Sequence, residues 1–426
     1  MILYLSDFDM RGSGYMNIGV RLCDQLAARY GGDEVLALGL NYQGQEHNWP
    51  YRILPVEHVG HIPQILELLS GDDEELSCFI SAMDLMFQEN MLATLKQKFP
   101  NMPYVALFPL EAGPLCQPWA ARLHQADARL VMSEFGRKEL ADAGVPARFI
   151  PIGVSDPSLW SMPDEAERRI VRKALNIEED SLVVLTVADN QERKNLSVAA
   201  QILAQFSVDV GDYSKAGLAM NVKEKRKLTW ILVTRVNSPV GWRLDDLGMR
   251  TGILSRMLLY DRGVSHDKLK MLFDVADCFL LTSKAEGLAI PVMEAMACGL
   301  PVIGTRCCAI EEHLQSERGL MILPEYKYID PYGNGWRYFA EIADGVAQLE
   351  NLVKMPADEK QAMTAKARNY VLARTWNACG DILAEAVEEA RAACGLRRAQ
   401  PSRLINGPKS DESNEIEKEE HEQIEA

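Results

Sequence analysis

The feature that most constrains the fold is an alternation of short apolar runs with helix-period segments, which starts at the first residues. Residues 2–5 form an apolar run, Ile18, Leu22 and Leu26 share one face of a helix, and residues 35–38 form the next apolar run. This pattern predicts a β-α-β unit. The same alternation predicts further strands at 78–80, 104–107, 130–132 and 149–150. Strands that alternate with helices favour a parallel sheet.

The alternation restarts after residues 150–157, a run of turn-forming residues that predicts an interdomain linker. A chain of 426 residues is too long for one ordinary core and suits two α/β domains. Predicted strands in the second half lie at 182–187, 229–233 and 278–281. The predicted units are a Rossmann-like acceptor-side domain at 1–154, a Rossmann-like donor-binding domain at 155–375, a terminal helix at 376–396 and an acidic disordered tail at 397–426.

Composition and charge narrow the classes of partner. The chain is 47% hydrophobic and 25% charged, which is ordinary for a folded protein. Its formal net charge of −16 disfavours nucleic acid and anionic lipid as partners, without excluding nucleic acid. A compact basic run at 223–227 is interpreted as an exposed insertion, with contact to a polyanion as the alternative.

The cysteines and the N-terminus favour a cytoplasmic protein. The nine cysteines are scattered and include no Cys-x-x-Cys pair, so zinc or redox work is not indicated. Residues 1–7 have no basic leader, and no apolar stretch is long enough to span a membrane. The histidines show no metal-ligand spacing, and Asp7-Phe8-Asp9 is a lone, weak match to a metal-holding triplet. We therefore expect no metal.

The segment 286–303 is a strand-loop-helix-strand unit whose limits are readable from the sequence. Pro291 suits the first helical turn, and Gly299 with the following Pro301 ends the helix after about two turns. Glu286 then lies at the carboxyl end of a strand, where open α/β sheets bind ligands, and Glu294 projects from the next helix. Paired carboxylates can accept hydrogen bonds from neighbouring sugar or ribose hydroxyls. The alternative is an exposed glutamate beside a capping glutamate.

The two glutamates, which are separated by seven intervening residues in Glu-Gly-Leu-Ala-Ile-Pro-Val-Met-Glu, resemble the signature of glycosyltransferase family 4. The resemblance implies the GT-B fold, in which two Rossmann-like domains face each other across a cleft and a C-terminal helix crosses back to the first domain. It also implies transfer with retention, Glu286 on the donor sugar and Glu294 on the ribose. The backbone amides at the start of the helix extend the predicted donor site to Gly287, Leu288, Ala289 and Ile290.

A second segment, residues 186–196, resembles the family's turn in which basic side chains hold the diphosphate. Arg193 and Lys194 lie just before a predicted helix, where positive charge, free amides and the helix dipole favour an anion. Many family members have an arginine about five residues before the lysine, where this chain has Asp189. Both basic residues are predicted to be catalytic. The alternative is an ordinary basic helix start.

In the first half, Gly12, Ser13 and Gly14 follow the first strand and resemble the family's glycine-rich loop beside the donor. Residues 108–115 and 133–136 resemble segments that line the acceptor side. Many members have a histidine near the first of these, and this chain has Glu111 in that turn instead. We predict that Glu111 orients an acceptor hydroxyl, with a loop-capping carboxylate as the alternative.

The resulting hypothesis is a retaining glycosyltransferase that moves a sugar from a nucleoside diphosphate, with UDP favoured and GDP or ADP possible, to a soluble hydroxyl acceptor. A nucleotide-sugar epimerase of similar fold and a catalytically silent nucleotide-sugar-binding protein are the alternatives. The sequence leaves open the donor sugar, the linkage, the oligomeric state and the acceptor, which could be a glycan, a small molecule, a protein or a modified nucleobase.

Overall fold

The structure is a computed structural model that describes residues 1–71, 76–210, 222–224, 226–330 and 335–395. The predicted acidic tail at 397–426 and Lys225 of the basic run lie outside the described residues.

The first half of the chain forms a seven-stranded sheet in which all paired strands are parallel. The order in the sheet is β3-β2-β1-β4-β5-β6-β7. The central strands are buried along their length, which explains their nearly continuous apolar sequence. The strands are β1 Ile2–Asp7, β2 Val35–Leu40, β3 Arg52–Val56, β4 Cys78–Ala82, β5 Tyr104–Phe108, β6 Ala128–Val131 and β7 Arg148–Phe149.

Helices cover both faces of this sheet. Ile2 and Tyr4 belong to the core on one face, and Leu3 and Leu5 to the core on the other, because successive side chains of a strand point to opposite sides. The helices are α1 Gly14–Tyr30, α2 Ile62–Gly71, α3 Leu85–Lys98, α4 Gln117–Leu123 and α5 Glu134–Asp142. The three residues that predicted α1 are all among its buried residues.

The second half contains a six-stranded parallel sheet and two antiparallel hairpins. The order in the sheet is β12-β11-β8-β13-β14-β15. Strands β9 with β10 and β16 with β17 form the hairpins. The strands are β8 Leu182–Val187, β9 Val208–Val210, β10 Val222–Glu224, β11 Leu228–Thr234, β12 Met257–Asp261, β13 Cys278–Leu281, β14 Val302–Thr305, β15 Leu320–Ile322, β16 Pro324–Asp330 and β17 Gly335–Ala340.

The helices of the second half connect and cover these strands. Ser265 caps the helix that begins at His266, since the Ser265 hydroxyl accepts a hydrogen bond from the Lys268 amide. They are α6 Glu165–Ala174, α7 Leu196–Ser207, α8 Leu244–Thr251, α9 His266–Val275, α10 Ile290–Ala297, α11 Cys308–Leu314, α12 Ile342–Lys354 and α13 Ala357–Leu372. Helix α10 has Pro291 in its first turn, and Gly299 beyond its end has a φ of 71°, so both predicted limits are confirmed.

The last helix, α14 Trp376–Ala393, packs against α1 and strands of the first sheet although it follows the second sheet in the chain. Leu383 and Val387 are fully buried in this contact, and the Arg29 guanidinium donates to the Asp381 carboxylate at its edge. Among the described residues, no helix is long and apolar enough to cross a membrane.

The predicted GT-B architecture is confirmed by the two parallel sheets. The predicted strands correspond to strands of the structure, with ends that differ by at most two residues. The edge strands β3, β12 and β15 and both hairpins were not predicted. In the basic run, Arg226 pairs with Glu350 and Lys227 with Glu178 and Asp180, so carboxylates compensate these two cations.

Candidate active site

Three predicted catalytic side chains meet at the carboxyl edge of the second sheet. Glu286 lies in the loop after β13, and Arg193 and Lys194 lie in a 3-10 turn, Glu192–Lys194, after β8. Strands β8 and β13 are neighbours, so their carboxyl ends bring these segments together. Lys194 Nζ is 2.5 Å from Glu286 Oε1, and Arg193 Nη1 is 3.0 Å from Glu286 Oε2.

This ion cluster is nearly inaccessible to solvent. The side chains of Glu286 and Lys194 are 6% and 15% exposed. Burial by itself would raise the pKa of the Glu286 carboxyl, but Lys194 and Arg193 lower it to about 2, with help from the Ser283 hydroxyl, whose Oγ is 2.6 Å from Oε1. Burial lowers the pKa of Lys194, and Glu286 opposes that change. The carboxylate of Glu286 is therefore held ionised.

Glu111 joins the cluster from the first half of the chain. It follows β5, and its Oε1 lies 3.0 Å from Arg193 Nη2. Burial raises the pKa of Glu111, while Arg193 lowers it and the carboxylates of Asp84 and Glu286 raise it further. Arg193 thus bridges one glutamate from each half, and the carboxyl edges of the two sheets face each other here.

Glu294 stands apart from this network. It lies on α10, the helix after the Glu286 loop, and is 4% exposed, and its carboxyl makes no hydrogen bond or ion pair with any other described residue. Burial raises the pKa of its carboxyl to about 8. The structure therefore brings Glu286, Arg193, Lys194 and Glu111 into contact and leaves Glu294 as a buried carboxyl without a partner among these residues.

Comparison with known proteins places this geometry in context. Residues 244–329, which include Glu286 and Glu294, match the protein family described as Glycosyl transferases group 1. The chain is 28% identical over 196 residues to WcaL of Escherichia coli K12, a glycosyltransferase assigned to colanic acid biosynthesis. That match covers 45% of this chain and 40% of the length of WcaL.

Solved structures of similar fold extend over most of the chain. Sucrose-phosphate synthase from Thermosynechococcus elongatus superimposes with a TM-score of 0.69 at 19% identity, covering 92% of this chain and 99% of that one. Anabaena Alr3699/HepE in complex with UDP-glucose superimposes with a TM-score of 0.65 at 16% identity, covering 91% and 99%.

The chain has the GT-B fold and carries a glycosyltransferase domain.

The loop that opens α10 in the glycosyltransferase domain faces the first half of the chain. A Cβ on Gly287 would lie 2.5 Å from Pro109 Cβ, and one on Gly14 would lie 3.0 Å from Ile290 Cδ1. Ala289 adopts a φ of 58° immediately before the helix, and no side chain caps the helix start. Its first amides are thus free of a side-chain acceptor. Leu288 is buried, and its carbonyl lies 2.6 Å from His313 Nε2.

In the structure, the predicted glycine-rich loop forms a turn after β1 and caps the start of α1. Gly12 has a φ of 85°, which suits glycine, and its amide donates to the Asp9 carbonyl. The Ser13 hydroxyl caps α1 by accepting from the Met16 amide at 3.0 Å. The structure thus gives this side chain a helix-capping contact, and ligand binding by the loop stays a prediction.

The carboxylates of the Asp7-Phe8-Asp9 triplet are engaged by protein groups. Asp9 pairs with Arg11 at 3.0 Å and with Arg262 of the second half at 3.3 Å, and Asp7 accepts from the Asn41 amide. Among the described residues, no group of His, Cys, Asp and Glu could hold a metal ion.

Asp189, at the position where the family resemblance led us to expect an arginine, pairs with a guanidinium that follows another strand. Arg235, which follows β11, donates from Nε and Nη2 to the two oxygens of Asp189, at 3.1 Å and 2.9 Å. Strands β8 and β11 are neighbours, so a guanidinium still lies at this edge of the sheet. The sequence motif alone could not reveal this pairing.

Several polar residues of the site were not predicted. Tyr15 donates to the Asp84 carboxylate, and Asp84 raises the pKa of both Glu111 and Arg193. Asp84 lies two residues after the end of β4, so the signal available in the sequence was a carboxylate just beyond an apolar run. Lys284 pairs with Glu192, and burial followed by repulsion from Arg337 lowers the pKa of Lys284 to about 8.

Proposed function

We propose that the chain transfers a sugar from a nucleoside diphosphate sugar, with UDP favoured and GDP or ADP possible, to a hydroxyl acceptor with retention, as a member of glycosyltransferase family 4. The observation that carries this proposal is the cluster of Glu286, Arg193, Lys194 and Glu111 where the edges of the two sheets meet. The UDP-glucose complex of a protein with a similar fold supports the choice of base.

Donor binding would exchange partners within the cluster. Arg193 and Lys194 now neutralise Glu286, and a diphosphate is a stronger acceptor for both cations than a single carboxylate. As the cations turn to the phosphates, Glu286 becomes free to accept hydrogen bonds from sugar hydroxyls. The resting ion pairs therefore keep the site neutral until the donor arrives.

The remaining donor contacts would come from Glu294, from backbone amides and from the loop after β1. Glu294 is a buried carboxyl without a partner among the described residues, which suits the two ribose hydroxyls. The amides of residues 287–290 and the loop of Gly12, Ser13 and Gly14 face each other and would enclose the sugar and phosphates.

Chemistry at this site would be electrostatic. The bond between the anomeric carbon and the phosphate oxygen breaks, and the acceptor oxygen bonds to the same face of that carbon. The acceptor proton passes to the departing phosphate, whose new charge Arg193 and Lys194 stabilise. Glu111, which is 30% exposed beside Arg193, would orient the acceptor hydroxyl. Contact between the two halves excludes water, which would otherwise compete as acceptor.

We also propose a cytoplasmic location and the domain boundaries given by the sequence, 1–154, 155–375 and 376–396. All nine cysteines are free thiols in the structure, which supports a reducing compartment.

The test is turnover of UDP-glucose and other nucleotide sugars, measured as release of the nucleotide. Glu286→Gln and Lys194→Ala are each expected to lower turnover by about 100-fold or more, because each removes charge placed for the transition state. Glu311→Gln, a substitution on the solvent side of α11, is the matched control and should keep wild-type turnover. Circular dichroism checks that all three variants fold.

The outcome also separates the alternatives. Wild-type turnover in both site variants would refute the assignment. Conversion of the donor sugar without an acceptor would indicate an epimerase, and donor binding without nucleotide release would indicate a binding protein. Proton NMR of the product gives the anomeric configuration, and inversion would refute retention.

A further inference from the structure

The hairpin of β16 and β17 reaches from the second half to the acceptor side of the site. The Trp336 amide donates to the Gly113 carbonyl at 2.8 Å, and the Tyr338 amide donates to the Lys284 carbonyl at 2.9 Å. A Cβ on Gly335 would lie 2.6 Å from Ala112 Cβ, so the hairpin packs closely against the turn that carries Glu111. Backbone contacts therefore fix the hairpin beside the reaction centre.

One face of this hairpin carries a group of aromatic rings. Tyr326 and Phe339 are opposite each other in the ladder and stack with ring centroids 4.4 Å apart. Tyr328 lies two residues along the same strand, on the same face, with its ring 5.5 Å from that of Phe339. Tyr326 and Tyr328 are 54% and 37% exposed. We call Tyr326, Tyr328 and Phe339 the aromatic face.

Arg337 joins the aromatic face to the reaction centre. It is opposite Tyr328 in the ladder, and its side chain is 4% exposed. Its Nε donates to Asp330 at 3.0 Å, its Nη2 lies 3.9 Å from Glu111 Oε2, and its Nη1 has no hydrogen-bond partner among the residues that the structure describes. A buried guanidinium nitrogen without an acceptor is costly, so an oxygen supplied by a ligand would stabilise it.

The charges beside the aromatic face are balanced. Lys284 lies 4.0 Å above the Phe339 ring and pairs with Glu192, while Arg337 pairs with Asp330. A polyanion would have to compete with these carboxylates. A neutral ligand with apolar ring faces and hydroxyl edges matches exposed tyrosine rings next to one unsatisfied donor.

We propose that the aromatic face is the acceptor subsite and binds a neutral glycan of at least two sugar units. The inference rests on the proposed function and adds the class of acceptor to it. One sugar unit would stack on Tyr326 and Tyr328, and the next would reach Arg337 and Glu111, which places its hydroxyl at the donor. An exposed aromatic group continuous with a reaction centre is expected to serve a ligand.

The experiment measures binding of neutral oligosaccharides to the whole chain in the presence of UDP. Maltohexaose, cellohexaose, laminarihexaose and chitohexaose are screened by saturation-transfer NMR, and the dissociation constant of the tightest binder is measured by calorimetry. The double variant Tyr326→Ala with Tyr328→Ala is expected to weaken binding about tenfold or more, since two stacking contacts are lost.

The matched control is Ile329→Ala. Ile329 is 56% exposed on the same strand but is opposite Trp336, on the other face of the hairpin. This variant should bind the oligosaccharide as the wild type does, within about twofold. Equal weakening in the control, or unchanged binding in the double variant, would overturn the proposal. Failure of all four oligosaccharides to bind would also overturn it.

Hydrolysis of UDP-glucose without acceptor, followed in the same samples, separates this inference from the proposed function. Hydrolysis that persists while no oligosaccharide binds refutes the acceptor subsite alone. If the wild type binds none of UDP, GDP and ADP and hydrolyses none of their glucose conjugates, the proposed function is refuted instead.

Discussion

Glu286 and Glu294, which lie on one loop and the helix that follows it with seven residues between them, have opposite electrostatic environments. Lys194 and Arg193 hold the pKa of Glu286 at about 2, whereas burial without a partner raises that of Glu294 to about 8. Carboxyls whose environments differ this much can take different roles in one site. An ionised Glu286 balances the cations that await the diphosphate. Glu294 is a buried carboxyl without a partner among the described residues, so hydrogen bonds from a ligand would stabilise it.

Glu294→Gln is expected to stabilise the free protein and weaken donor binding. Because the folded-state pKa of Glu294 is raised, the native state binds more protons than the unfolded state between its ordinary pKa and about 8. The free energy of unfolding of the wild type therefore falls as the pH rises through that window. At pH 8 the variant should be more stable than the wild type by roughly 4 kcal/mol, with a difference below about 1 kcal/mol near pH 5.

The measurement is urea unfolding of both proteins at pH 5 and pH 8, together with UDP binding by calorimetry. The difference between the variant and the wild type isolates Glu294 from other titrating groups. A gap in stability that does not grow with pH would contradict the buried, unpaired state. Unchanged UDP affinity would contradict its place in the donor site.

At the scale of elements, the sequence predicts what periodicity and burial dictate. Buried strands such as β4 and β13 are apolar runs, and α10 has its limits marked by Pro291 and Gly299. The edge strand β3 could not be predicted in this way, because most of its residues are exposed and it contains Pro55. The hairpin strand β16 likewise has little burial to produce a pattern.

For the site, too, the sequence predicted the residues that belong to local motifs and missed the contacts that depend on the tertiary structure. Glu286, Arg193 and Lys194 come from local motifs on neighbouring strands, so their meeting could be predicted from a parallel sheet. The contact of Arg193 with Glu111, and the approach of Arg337 to the same carboxylate, join segments far apart in the chain. Such contacts depend on how the two halves dock, which one-dimensional patterns do not specify.

Gly287→Ala tests whether the donor loop must touch the first half. The added methyl would lie 2.5 Å from Pro109 Cβ and 3.2 Å from the Pro109 backbone. A proline ring and a backbone cannot rotate away from the methyl as a flexible side chain could. The two loops should separate, and the KM for the donor should rise by about tenfold, with a small change in stability. Steady-state kinetics with UDP-glucose and a thermal melt measure both effects.

Gly345→Ala is the contrasting variant, because it overfills a contact inside one half. Its methyl would lie 2.4 Å from Ile202 Cδ1, between α12 and α7. It should lower the melting temperature and leave the KM of the folded enzyme unchanged. A Gly287→Ala variant that only loses stability, as Gly345→Ala is expected to do, would show that the loop contact serves packing alone.

At the scale of the molecule, the two halves share more than the active site. One hydrophobic core runs from a face of the first sheet, through α14, to the second sheet. Arg262 of the second half pairs with Asp9 of the first, and the Phe135 amide donates to Glu312 at 3.0 Å. The Trp376 indole, at the start of α14, donates to the Val154 carbonyl in the predicted linker. These contacts couple the folding of the halves.

We therefore expect one calorimetric unfolding transition, which UDP raises as a whole. Ligand at 100 times its dissociation constant adds about 2.7 kcal/mol, which for a chain of this length corresponds to roughly 3 to 5 °C. Leu383→Ala on α14 removes a fully buried side chain and should lower the transition without altering the UDP shift, since α14 lies away from the donor cluster. Two transitions of which UDP moves only one would show that the halves unfold independently. The absence of a shift with UDP, GDP and ADP alike would refute a nucleotide donor, because any ligand of the folded state alone must stabilise it.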